Sequence, residues 1–445
     1  MNIVIIGGDA AGMSAAMQIV RAQPKWQITV LEKGAIYSYG QCGLPYYIGG
    51  IIKSHNELIV RAREVFQDRY GIDARIYHEV KEINHKKQRV IGTYHEGNSA
   101  KNFSLPYDKL IVASGASPVM PPFTGKNLAG IHVLKTIPDA QKIIDELTSN
   151  VLNVTVIGAG YIGLEVTENL VASGRKVTLI DAADQIGSSI YESDISEKIK
   201  QEAVKNGAEV LLSTSVSGFE GDGQVERVIT DNGPLETDMV IVAAGIKPNT
   251  DFFTNTDIHL HQSGAIVVNP YMETTLPHVY AAGDCATHYH RLKQRDDYIP
   301  LGTHANKQGR IAGANVAGNR KAFKGVVGSA IVKFFDVTIG KTGLNEKEAT
   351  ELGIACCKLS YTTTTHASYY PGNNQLFIHM IKNRDTDVLL GVQAVGAIGV
   401  DKRIDVAATA LYHEMTTEDL ENLDLSYAPP FNSTWDPIQQ GARRL

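Results

Sequence analysis

The sequence predicts an α/β protein with two Rossmann-like dinucleotide-binding domains and a C-terminal mixed α/β domain. Three observations predict it. An apolar strand, a glycine turn, a helix and a second apolar strand run from Asn2 to Lys33, and the same order recurs from Asn153. From Gly325 onward strands alternate with short helices. At roughly 100 to 200 residues per domain, a chain of 445 residues is expected to form about three.

The first unit reads "NIVIIGG", "DAAGMSAAMQIVRAQ" and "WQITVLEK". "YDKLIVASGASP" (107–118) is then a buried strand ending in small residues and a proline, which suits a crossing between domains. "TDMVIVAAGIKPN" (237–249) has the same shape. The two echoes predict that the second unit is inserted into the first, giving one domain over 1–115 and 251–324, a second over 116–250 and a third over 325–445. "GAIVVNPYMETTLPHVYAAGDCATH" supplies strands that complete the first sheet, and "PLGTHANKQGRIAGANVAG" reads as a helix rich in small residues. In the third domain Asn345 with Glu348 has the spacing of a capping box; Thr416 with Asp419 is its weaker equivalent.

The glycine turns carry the first chemistry. Pyrophosphate is anionic and sits well where backbone N–H groups at a helix N-terminus face it and glycine lets the chain come close. Gly158, Gly160 and Gly163 make the full G-x-G-x-x-G pattern, with Asp181 placed 18 residues later to hold a ribose. In the first unit Gly7 and Gly12 hold the outer positions, Asp9 replaces the middle glycine, and Glu32 is the acid. Two such units on one chain imply electron transfer between two redox cofactors, with a flavin and a nicotinamide as the natural pair. Asp181 accepts from a 2′-hydroxyl and repels a 2′-phosphate, which favours NADH over NADPH.

Composition removes other classes. A formal charge of −6 with scattered lysines and arginines offers no basic face for nucleic acid or membrane. The chain opens directly into a strand without a leader, and no apolar run reaches the ~18 residues of a membrane span, so a cytoplasmic location is expected. Cys42, Cys285, Cys356 and Cys357 have neither disulfide-framework nor metal-ligand spacing. No structural metal is expected.

The two glycine turns, "LIVASGASP", "IVAAGIKPN", "VYAAGDCA" and the C-terminal texture together resemble the flavoprotein disulfide reductase family along essentially the whole chain. The resemblance implies FAD in the N-terminal domain, on Gly7, Ala11, Gly12, Glu32, Lys33, Ser114, Gly115, Asp284 and Ala305. It implies NAD(P)H in the inserted domain, on Gly158, Gly160, Ile162, Gly163, Asp181 and Gly245, and a homodimer built through the C-terminal domain.

Within that family many members carry two cysteines beside the flavin, whereas "QCGLPYYIGG" carries only Cys42. A single thiol stores oxidising equivalents by pairing with an outside thiol or as a sulfenic acid. The resemblance therefore narrows to the single-cysteine branch of CoA-disulfide reductases, CoA-dependent persulfide reductases, NADH oxidases and NADH peroxidases. Leu44 and Pro45 suit a helix's first turn, which places Cys42 at a helix N-terminus and predicts a thiol pKa lowered toward thiolate. Oxidases and peroxidases of the branch carry a histidine where this chain has Ala10, which disfavours oxygen chemistry.

Ser14, Gln18 and Arg21 form a polar stripe beside the apolar Met13, Ala16, Met17 and Val20 face of the first helix. With Ser38 and His304 they match positions at which CoA-disulfide reductases contact CoA. Tyr369 and Tyr427 (or Tyr370 in place of Tyr369) match tyrosines that reach the partner's active-site cysteine. The expected reaction passes electrons from NADH or NADPH through FAD to a Cys42–S–S–CoA mixed disulfide, reducing CoA disulfide to CoA. Persulfide or polysulfide reduction is the close alternative, then oxidase or peroxidase chemistry; absence of a rhodanese-like extension after Leu445 favours the disulfide. An electron-transfer flavoprotein serving a protein partner is a further alternative, and it leaves Cys42 without a role.

Overall fold

The computed structural model describes residues 1–97, 99–253 and 256–445. Asn2–Ile6 is the central strand of a five-stranded parallel sheet in the order Val279–Ala281, Lys109–Val112, Asn2–Ile6, Gln27–Leu31, Asp73–Arg75. Covered on both faces, this strand needs apolar side chains throughout, and Ile3, Val4, Ile5 and Ile6 are all buried. The edge strand Val279–Ala281 arrives from beyond the second glycine loop. The chain thus leaves the first sheet at Val112, builds a second, and returns.

The second sheet is also parallel, in the order Glu209–Leu211, Lys176–Ile180, Asn153–Ile157, Met239–Val242, Ile131–Val133. Exit and return run side by side, because Ala116–Pro118 pairs antiparallel with Ile246–Pro248. Ser114 Oγ ties the join by donating to the Asn249 carbonyl at 2.6 Å.

One expected strand is absent. "GAIVV" spends the backbone of Ile266 on the loop after Gly283: Ile266 N–H donates to Cys285 O at 2.8 Å and Thr287 N–H to Ile266 O at 2.9 Å. It therefore makes isolated bridges to Leu260 and Ala286 instead of joining the first sheet.

The C-terminal region forms an antiparallel sheet in the order Ala330–Phe334, Val337–Gly343, Leu389–Gly396, Gln375–Asn383, Cys356–Thr364, with the helix Val400–Tyr412 packed on it. Both capping boxes form: Asn345 Oδ1 accepts the Glu348 N–H at 2.8 Å, and Thr416 Oγ1 accepts the Asp419 N–H at 3.1 Å. Thr416 and Asp419 thus make a complete box. No helix among the described residues is long and apolar enough to cross a membrane.

A contact between the helices Ala10–Ala22 and Gly302–Val316 positions much of the site. A Cβ on Gly309 would stand 2.2 Å from the Ala11 carbonyl oxygen, so glycine there lets the backbones touch.

Candidate active site

The two glycine loops have one internal design. In the first, Glu32 at the end of Gln27–Leu31 accepts from Gly8 N–H at 2.9 Å and Gly34 N–H at 2.7 Å. In the second, Asp181 accepts from Ala159 N–H at 2.7 Å and Ala183 N–H at 2.9 Å. Each acid holds its loop and stands at the strand end where a ribose edge is read. A Cβ on Gly12 or Gly163 would meet the carbonyl oxygen of Gly7 or Gly158 within 2 Å, so both helices start as close to the strand as the chain permits. Gly160 has no heavy atom near where its Cβ would be, which leaves the helix N-terminus open to a diphosphate.

A cleft of about 300 Å³ brings together Gly7, Glu32, Lys33 and Ser114. Its other walls, among them His78, Val80, Asn249 and Phe252, escaped the sequence reading because nothing local in those stretches signals a ligand. Gly115, at φ +66, continues the Ser114 turn and accepts the Asn249 N–H at 2.9 Å. Ala11 and Ala305 are buried near the packed helix pair. Ile162 is half-buried in the first turn of the second loop helix, and Gly245, at φ +106, accepts the Val119 N–H beside the domain crossing.

Cys42 is exposed and unpaired, in a 3₁₀ turn (Gln41–Gly43) that leads into the helix Leu44–Ile48 with Pro45 in its first turn. That helix packs against Ile137–Glu146 and Tyr161–Ala172 of the second unit, and the charges that act on the Cys42 thiol come from both units, Glu165 and Lys135 from the second and Asp284 from the first. Tyr47 OH donates to Gln141 Oε1 at 2.6 Å and Tyr46 OH to Glu165 Oε1 at 3.3 Å.

The expected depression of the thiol pKa is reversed. Desolvation in this hollow, then Glu165 and Asp284, push Cys42 above the usual thiol value, against Lys135, which lowers it. A helix of five residues behind an intervening turn has little dipole with which to oppose them. Burial pushes Glu165 up to about 7. Asp284 is held by Lys135, whose Nζ donates to its Oδ2 at 3.0 Å, with both side chains largely buried. Lys135 lies in no motif, and only the fold brings it to the site.

Asp9 takes the middle glycine position but turns away from the loop. Its Oδ2 accepts from Gln41 Nε2 at 2.7 Å and its Oδ1 from Tyr39 N–H at 3.2 Å, which ties the first glycine turn to the residue before Cys42. Burial raises its pKa to about 6.

On the first loop helix Ser14 and Gln18 are half-buried and Arg21 is exposed, as the stripe requires. Ser14 Oγ donates to Asn306 Oδ1 at 2.8 Å, which adds a residue the sequence reading missed. Ser38 adopts φ +47, an uncommon conformation for serine, on the stretch leading to Cys42. His304 differs from this open group in its burial, with Nδ1 on the Ile299 carbonyl at 2.9 Å and its ring 4.9 Å from that of His288.

Tyr369 and Tyr427 come from loops 58 residues apart and meet at their hydroxyls, 2.9 Å apart, while both rings remain exposed. Tyr370 instead packs its ring against His366 at 5.9 Å. Behind the pair, fully buried Arg403 ties the two loops together: Nη2 donates to Thr365 O at 2.8 Å and Asn432 Oδ1 at 3.2 Å, and lies 3.2 Å from Asp436 Oδ2. Cys285 is fully buried with Sγ 3.4 Å from the Val112 and Ala282 carbonyls, and Cys356 and Cys357 lie in a sheet strand.

Residues 1–309 match the family described as pyridine nucleotide-disulphide oxidoreductase, and residues 329–437 match the dimerisation domain of the same description. The chain is 39% identical to NAD(P)H sulfur oxidoreductase (CoA-dependent) of Pyrococcus abyssi, over 100% of this chain and 98% of that protein. It is 33% identical to Coenzyme A disulfide reductase of Staphylococcus aureus, with 98% of each covered. A solved NAD-dependent persulfide reductase from A. fulgidus superposes with a TM-score of 0.95 at 35% identity, over 100% of this chain and 82% of that one.

Proposed function

The chain belongs to the pyridine nucleotide-disulphide oxidoreductase family, and we propose that within it this protein reduces CoA disulfide to CoA through Cys42, with NAD(P)H as donor. The observation that carries the reading is one exposed, unpaired cysteine of the first unit on a turn that leads into a helix packed against the second. Its redox partner is then a diffusible thiol.

We assign the first sheet and its returning segments, 1–115 and 251–324, to FAD, 116–250 to NAD(P)H and 325–445 to the dimer. The cleft lined by Gly7, Glu32, Lys33 and Ser114 suits the adenosine half of FAD, with Glu32 toward the ribose. Bound there, FAD supplies the two-electron relay between nicotinamide and sulfur. We assign Asp284, paired with Lys135, to the ribityl-phosphate side together with Gly12, Ala11 and Ala305, the two alanines lying against the neighbouring Gly283. Gly158, Gly160, Ile162, Gly163 and Gly245 frame the nicotinamide dinucleotide, and Asp181 favours NADH.

In the oxidative half, Cys42 thiolate attacks one sulfur of CoA disulfide, forming Cys42–S–S–CoA and releasing one CoA thiolate. Reductive cleavage of that mixed disulfide restores Cys42 and frees the second CoA; one NAD(P)H and one proton are consumed for two CoA thiols. Ser14, Gln18, Arg21 and Ser38 form the CoA-facing surface, with Arg21 for a phosphate. On the Gly302–Val316 helix we assign the contact to Asn306, since His304 is turned inward. The Tyr369–Tyr427 pair, exposed in one subunit, serves the Cys42 of the other across the dimer, holding the sulfur and protonating the departing CoA.

Similarity to the CoA-dependent sulfur oxidoreductase of Pyrococcus abyssi and to the A. fulgidus persulfide reductase favours persulfide or polysulfide as a second substrate class, attacked by the same CoA-charged Cys42. Oxygen or peroxide reduction through a sulfenic acid is disfavoured by Ala10. Four free cysteines fit a reducing cytoplasm.

The test is Cys42→Ser together with intact mass of gently purified protein before and after dithiothreitol. The variant is expected to oxidise NADH against its own flavin yet reduce no CoA disulfide, and the wild type to lose one CoA per chain. Appreciable CoA-disulfide reduction by the variant overturns the assignment, and added oxygen on Cys42 in place of CoA moves it to the sulfenic acid reading.

A further inference from the structure

We propose that Glu192, Glu346 and His379 form a binding site for a divalent first-row transition ion joining the NAD(P)H-binding unit to the C-terminal domain. His379, on the strand Gln375–Asn383, is 3% exposed. Its Nδ1 is taken by Ser360 Oγ at 2.9 Å, which fixes the ring. Its Nε2 is buried with no hydrogen-bond partner, and it points between two carboxylates from different parts of the chain. Glu346 Oε1 is 3.6 Å away and Glu192 Oε1 4.0 Å, both too far for a hydrogen bond.

The three ligand atoms lie within 4.8 Å of one another. Ligand atoms around a tetrahedral zinc are about 3.4 Å apart, so small carboxylate rotations close the set on a cation. One imidazole with two carboxylates suits manganese, iron or zinc and does not suit a soft ion.

The surroundings orient these groups. Glu192 immediately precedes the helix Ser193–Lys205, and its own N–H donates to Gln393 Oε1 at 2.9 Å. Its Oε1 accepts the Glu346 N–H at 2.6 Å, while the second oxygen of Glu346 is held by Lys358 at 2.9 Å. The ring nitrogen opposite the proposed ligand atom is thus already engaged, as outer-shell partners of ligating histidines are. Lys358 and the half-buried Lys341 offset part of the carboxylate charge, and Asp194 adds to it, so affinity below that of an all-cysteine zinc site is expected. Glu346 and His379 come from the C-terminal domain and Glu192 from the inserted unit, so an ion here fastens the two together.

The probe is Mn²⁺ alone, added to chelator-treated, FAD-loaded protein, because manganese does not compete for cysteine thiolates. Free Mn²⁺ is counted by electron paramagnetic resonance and melting temperature is followed in parallel. One Mn²⁺ per chain and a raised melting temperature are expected for the wild type. Binding is expected to weaken at least tenfold in both Glu346→Gln and His379→Gln, with metal-free CoA-disulfide reduction unchanged in Glu346→Gln. No binding by the wild type at millimolar Mn²⁺, or equal binding by wild type and Glu346→Gln, overturns the proposal. Glu346→Gln tests it even where His379→Gln fails to fold, since Glu346 lies nearer the surface.

Discussion

Asp9→Asn isolates the price of placing a carboxyl where a dinucleotide loop ordinarily has glycine. Burial holds Asp9 near 6 against an ordinary 3.8. A gap of about two units at 1.36 kcal/mol each is about 3 kcal/mol. The sign follows from proton binding. Between these two values the folded protein keeps the proton that the unfolded chain has released, so stability falls as pH rises through the window, and the loss is complete above about 6. Asparagine cannot ionise. The stability of Asp9→Asn relative to wild type should therefore rise by up to about 3 kcal/mol between pH 4 and 7. Its absolute level is offset by one lost acceptor, because Tyr39 N–H and Gln41 Nε2 both donate to the carboxylate and an amide oxygen serves only one of them well. Denaturant unfolding of both proteins at several pH values reads the difference directly, and groups common to both, Glu165 among them, cancel. Curves that stay parallel from pH 4 to 7 would refute the claim that Asp9 is a buried, proton-holding group.

Two further perturbations address the cysteine and the tyrosine loops. Glu165→Gln removes a negative charge that helps hold the Cys42 thiol up, so the pH midpoint of Cys42 alkylation should move down, and an unchanged midpoint would show that Glu165 has no part in setting it. Arg403→Ala leaves buried Asp436 with only the more distant Lys402 Nζ, 3.8 Å away, as a cation, which should cost up to about 3–5 kcal/mol in chemical denaturation. The same variant should lower CoA-disulfide turnover while NADH still reduces the flavin at the wild-type rate, because the loops carrying Tyr369 and Tyr427 lose their common anchor; unimpaired turnover would count against the tyrosine assignment.

Asp9 also bears on the choice among reactions. Ala10 supplies no proton-handling group beside the sulfur, whereas its neighbour Asp9 is protonatable near pH 6 and linked through Gln41 to the Cys42 turn. The linkage is to Gln41 and not to the sulfur, so Asp9 positions the turn. That role serves an incoming disulfide as well as any other substrate.

Read by itself, the sequence determined what depends on neighbours along the chain. The two glycine turns, the acids Glu32 and Asp181 behind them, the capping boxes and the polar stripe of Ser14, Gln18 and Arg21 are all set by spacing within a strand, turn or helix. The solitary Cys42 was equally legible, because its meaning lay in the residue types around it. Tertiary structure decided whatever depends on groups far apart in sequence. Lys135 reaches Asp284 across 149 positions, and Asn306 meets Ser14 across 292. Tyr369 pairs with Tyr427 while Tyr370 does not. His304 turns inward, and the Cys42 thiol moves up because desolvation and Glu165 outweigh a short helix. Charge and burial act through space, and only the folded chain sets the distances on which they depend.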